Sequence, residues 1–96
     1  SRYLEAEIVA EAPTIAAGAG FVEVTGMVNL PQGQAEYVWV LGVVYDINGQ
    51  VLGLRRWEAE LPSTSASSLP FDLRVFAMQG EITELKLFVE AYATIP

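Results

Sequence analysis

The sequence predicts an all-β protein: a two-sheet sandwich of six or seven mostly antiparallel strands, forming one domain over residues 1–96. Three observations carry this. Apolar residues alternate with polar ones along most of the chain, the period of a half-buried strand. Clusters of Gly, Pro, Asn, Asp and Ser separate the alternating runs. No stretch has a helical period, and a chain of 96 residues has room for one core.

The first run places Leu4, Ala6, Ile8 and Ala10 on one side and Glu5, Glu7 and Glu11 on the other. Pro13 ends or interrupts it, Thr14 to Ala17 is an optional short strand, and Ala16 to Gly20 reads as a flexible connection. From Phe21 to Leu30, Val22, Val24, Gly26 and Val28 point inward while Glu23 and Thr25 point out. Pro31-Gln32-Gly33-Gln34 is a turn. Tyr37 to Tyr45 is apolar on both faces, with Trp39, Leu41, Val43 and Tyr45 on one and Val38, Val40 and Val44 on the other. Such a strand is central in its sheet or has its outer face covered.

Asp46-Ile47-Asn48-Gly49 is the clearest turn. A two-residue Asn48-Gly49 turn pairs Ile47 with Gln50, whereas a type I turn with Gly49 in the left-handed bulge position pairs Asp46 with Gln50. The second is preferred, because an Asp at the first turn position bonds the backbone two residues on. It sets Trp39 opposite Trp57 and Tyr45 opposite Val51, with Trp57 pointing inward. The Pro62 to Ser68 stretch is a small polar loop expected to be mobile. Phe71, Leu73 and Val75 then alternate with Asp72 and Arg74, a turn falls near Gln79-Gly80, and Leu85, Leu87, Val89 and Ala91 alternate with Lys86, Phe88, Glu90 and Tyr92.

Composition narrows the function. Five basic residues against twelve acidic ones give a net charge of −7. That opposes binding to nucleic acid or anionic lipid, which need positive patches. No apolar run approaches the length of a membrane span. The chain has no cysteine and no histidine, which removes disulfides, thiolate catalysis and the commonest general base and metal ligand. No cofactor or metal is expected. The opening Ser1-Arg2-Tyr3, without methionine, and the lack of a signal-like segment read as a piece of a longer protein.

Local clusters mostly reduce to structure. Asp46-Ile47-Asn48-Gly49 lacks the further ligands and terminal Glu of a calcium loop. Gly18-Ala19-Gly20 is followed by a strand, not the helix a phosphate loop needs. The carboxylate pairs Glu5/Glu7 and Glu58/Glu60 sit where alternation places solvent, with no cleft implied. Arg55-Arg56-Trp57 has two readings, rim and core packing or a partner contact, since Arg and aromatic residues recur at interface hot spots. Phe88 and Tyr92, with Phe76 joining from the preceding strand, form either an interaction surface or a face covered by other elements.

Val24-Thr25-Gly26-Met27-Val28-Asn29 and Val44-Tyr45-Asp46-Ile47-Asn48-Gly49-Gln50-Val51, followed by Leu69-Pro70-Phe71, resemble the motifs of FxLYD-type bacterial domains in order and spacing over residues 22–93. The resemblance implies an immunoglobulin-like sandwich of an exported or membrane-anchored protein, extracytoplasmic and without catalytic role. It also implies that Asn29 satisfies a turn while Asp46, Asn48 and Gly49 shape a hairpin. Two function classes follow: a structural or protein-interaction module, with protein or self-association as its partner, or a carbohydrate-binding module stacking sugars on Tyr37, Trp57, Phe76, Phe88 or Tyr92.

Overall fold

The computed structural model describes residues 2–15, 20–31, 35–61 and 67–93. Eight strands occur among them: β1 (Arg2–Leu4), β2 (Glu7–Ala10), β3 (Thr14–Ile15), β4 (Phe21–Asn29), β5 (Tyr37–Tyr45), β6 (Val51–Glu60), β7 (Ser68–Phe76) and β8 (Glu84–Ala93). They form two sheets in which every pairing is antiparallel. The front sheet has the order β1-β8-β5-β6. In the back sheet β4 is central, with β2 and β3 along one edge and β7 along the other. The result is the sandwich that period-two patterning requires, since each sheet must bury one face.

The core takes the inward residues read from alternation on β4, β7 and β8, but on β5 it takes the Val38, Val40 and Val44 face, opposite to the Trp39 face that the preferred register set beside inward Trp57. Val22, Val24 and Val28 of β4 and Phe71, Leu73 and Val75 of β7 meet Val38, Val40 and Val44 of β5 and Ala91 of β8. Among the described residues no polar or charged side chain is buried, so the interior is held by apolar area alone. β5 is central, between β8 and β6, as its two apolar faces imply.

Two features depart from the sequence reading. The run from Leu4 to Ala10 is not one strand: Leu4 pairs with Ala91 in the front sheet and Ile8 with Val28 in the back sheet. The chain changes sheet at Glu5-Ala6, yet Leu4, Ala6 and Ile8 all rest on the core, because both sheets face it. Pro13 interrupts the edge between β2 and β3.

The second departure is the β5–β6 register. Asp46 pairs with Gln50 and Tyr45 with Val51, as expected of the preferred turn. The register then slips, so Val44 pairs with Gly53, Val40 with Trp57 and Trp39 with Glu58. Trp39 therefore does not lie opposite Trp57. The extra residue is Leu52, which packs on the core and against Gly80. Gly53, the next residue, sits so close to the Phe76 carbonyl of β7 that no side chain fits there. The bulge brings Leu52 inward and reserves the contact point between the sheets for a glycine. It keeps Trp57 inward, its ring 6.0 Å from that of Phe71, while Trp39, on the face of β5 opposite buried Val38 and Val40, lies outside.

The hairpin turn is built from one carboxylate. Asp46 Oδ1 accepts from the backbone N–H of Asn48 and of Gln50, both at 2.9 Å, and Gly49 N–H donates to the Asp46 carbonyl at 3.0 Å. Gly49 has φ 78°, a region that β-branched residues resist. The expectations for Ala16 to Ala19, Gln32 to Gln34 and Pro62 to Ala66 lie outside the described residues. Of the Ser-rich segment, Ser68 already belongs to β7.

Candidate functional site

The outer face of the front sheet is the most distinctive surface. Because the even residues of β5 face the core, its odd residues Tyr37, Trp39, Leu41 and Tyr45 stand there, each partly exposed. On β8 they are flanked by Phe88 and Tyr92, and beyond β8 by Tyr3 of β1. On β6 the neighbours are Leu54 and Val51. Tyr3, Leu54 and Phe88 are 68%, 63% and 46% exposed. Cross-strand register makes the patch continuous: Tyr3, Tyr92 and Tyr37 form one row, Phe88 and Leu41 another, Tyr45 and Val51 a third.

The rings of this face are not a flat platform. Tyr3 and Tyr92 meet edge to face at 73°, and Tyr37 and Tyr92 are tilted by 39°. Two rings already carry a cation: the Arg56 guanidinium lies 5.7 Å from the Trp39 ring centre and Lys86 Nζ 5.2 Å from that of Tyr45. Arg56 also donates to Glu58 and to the Tyr37 hydroxyl, each at 3.4 Å, and Lys86 lies 3.9 Å from Glu84. These exposed pairs add little stability, but they cover ring faces and rim the apolar patch with charge.

Arg55 points to the opposite side of β6 from Arg56. With Trp57, Asp72, Arg74 and Phe76 it lines an open groove of about 530 Å³ where the edges of β6 and β7 face each other. Arg74 is held by Glu23 at 3.1 Å and lies over the Phe21 ring at 4.8 Å. Of the expected contact residues, then, Phe88, Tyr92 and Arg56 share the front face, Arg55 lies in the groove, and Arg56 also reaches its rim. Phe76 does not join Phe88 and Tyr92. It is on the outer face of the back sheet, paired with Phe21 at 5.6 Å, because β7 hydrogen-bonds to β4 and not to β8. Asn29 closes β4, paired with Glu7 and Ser68. Sequence reasoning offered Tyr37 as a surface ring but missed Trp39 and Tyr45, since the slip at Leu52 leaves no mark in alternation.

Among the described residues no group of three or more Asp or Glu side chains is placed to hold a metal ion, and no helix is long and apolar enough to cross a membrane. The fold and surface thus define an antiparallel β-sandwich with one aromatic outer face. No family model matches the chain, and no curated protein matches it. The fold is similar to the crystal structure of a DUF1425 family member from Shewanella sp. pv-4, with a TM-score of 0.53 and 18% identity over 93% of this chain and 80% of that one. At that identity the likeness speaks for the sandwich fold alone.

Proposed function

We propose that the chain is a non-enzymatic structural or protein-interaction module of a bacterial exported or envelope protein, and that it meets its partner through the outer face of the front sheet. The observation that carries this is the continuous patch from Tyr3 across Tyr92, Tyr37, Trp39 and Phe88 to Leu54, more apolar surface than scattered exposed residues require. Tyr, Trp and Arg in that patch are the residue types that dominate protein interfaces. FxLYD-type membership, an immunoglobulin-like class and an extracytoplasmic location rest on the motif resemblance alone. Sugar stacking is disfavoured: the rings are mutually tilted, and cations occupy Trp39 and Tyr45.

The test is a double substitution of exposed members of the face, Phe88→Ser with Leu54→Ser. Stability is expected to change by less than about 1 kcal/mol, since neither side chain is in the core. Specific capture of a protein partner from an envelope extract by the immobilised domain is expected to disappear. A loss of about 3 kcal/mol or more makes the face structural core, and capture undiminished by the substitutions places the contact elsewhere.

A further inference from the structure

We infer that two copies of this chain pair antiparallel along β6, joining their front sheets into one eight-stranded sheet centred on Trp57. The reasoning starts from where backbone groups point. Asp46 N–H donates to the Gln50 carbonyl on the β6 side of β5, where Leu61 N–H also meets the carbonyl of Glu36 just before the strand, and Thr83 N–H donates to the Tyr45 carbonyl on the β8 side. Even residues of β5 therefore bond toward β6 and odd ones toward β8. The β6 partners of Val38, Val40, Gly42 and Val44 are Ala59, Trp57, Arg55 and Gly53. It follows that the N–H and C=O groups of Leu54, Arg56, Glu58 and Glu60 point away from the sheet, along an edge that no strand among the described residues covers.

The other long edge is closed to this use. By the same parity, from Leu30 N–H to the Ser67 carbonyl and Ala77 N–H to the Gly20 carbonyl, the outward groups of β7 belong to its even residues. Pro70 supplies no N–H there, and the Phe76 carbonyl is turned against Gly53. β7 also lies beneath β5 and β6, where Gly42 and Gly53 abut it, and the groove it forms with Arg56, Trp57 and Glu58 runs open alongside the edge of β6.

Charge then selects the occupant and the register. A two-fold axis through Trp57 sets Arg56 opposite Glu58 of the second copy, and Glu58 opposite its Arg56. All four outward residues find partners, giving about eight backbone hydrogen bonds between the copies. Moving the axis to Arg56 or Glu58 sets like charges face to face, and any odd shift mismatches the two faces of the sheet. An edge whose charges reverse sign about its centre is self-complementary, as an isologous contact requires. The joined sheet would carry both aromatic faces on one side.

Sedimentation of the chain, with circular dichroism to confirm folding, tests this through a charge cycle. Wild type is expected to dimerise, with Arg56→Glu or Glu58→Arg each weakening self-association on the order of tenfold or more. The double variant R56E/E58R, which restores opposite charges across the axis, is expected to return to within about threefold of wild type. Two single reversals guard against one failing to fold. A wild type that stays monomeric at about 1 mM, or a dimer indifferent to both reversals, overturns the inference. Phe88→Ser should leave this dimer intact, so a failure here and a failure of the front-face reading are separable.

Discussion

Gly53→Ala is the sharpest test of how the sheets are joined. A methyl group at this position would overlap the Phe76 carbonyl oxygen, a backbone atom that cannot rotate away. Relief requires moving β6 off β7, and with it Leu52, Trp57 and their contacts with the core. Overpacking of this kind costs about 1–3 kcal/mol, and the rigidity of the obstacle places Gly53 near the top of that range, at about 2–3 kcal/mol. For a domain of this size that lowers Tm by roughly 10–20 °C. Urea unfolding followed by tryptophan emission is a suitable assay, because Trp57 reports directly on the β6–β7 contact. The control is Gly49→Ala: an added Cβ meets nothing within 4 Å, so only the positive φ is penalised, at about 1 kcal/mol. If Gly53→Ala costs no more than Gly49→Ala, the bulge does not pin the two sheets.

Three further outcomes are expected. Asp46→Ala removes the acceptor of two backbone N–H groups in an exposed turn and should cost about 1 kcal/mol by urea denaturation. Gly49→Val should cost about 1 kcal/mol or more, and a neutral result would contradict the turn geometry. Leu73→Ala opens a cavity beneath Gly42 and should cost about 2–5 kcal/mol in the same measurement, whereas Arg56→Ala at the surface should stay within about 0.5 kcal/mol.

Alternation revealed the core residues of β4 and β7, because a strand half in water must show its burial in its sequence, but not the inward face of β5, which is apolar on both sides. Val22, Val24, Val28, Leu73 and Val75 are all where the pattern puts them. The Asp46–Gly49 turn was equally legible, since its chemistry is local. Features set by distant contacts were not. The sheet change at Glu5-Ala6 leaves the apolar face pointing at the same core, so the pattern runs on unbroken. The slip at Leu52 depends on the Phe76 carbonyl, more than twenty residues away, and only Gly53 hints at it. That one slip uncouples the two tryptophans, so that Trp57 faces in although Trp39 stands on the outer face with Phe88 and Tyr92. Phe76 was misplaced for a related reason: nearness in sequence to β8 does not say which sheet β7 joins.

The most direct measurement of the central claim is site-specific photo-crosslinking in cells expressing the natural full-length protein. A photoreactive phenylalanine analogue replaces Phe88 on the front face or, as control, Glu23 on the outer face of the back sheet. The front-face reading expects discrete protein adducts from the Phe88 position and none from Glu23. Adducts absent at Phe88, or equal at both positions, would contradict it.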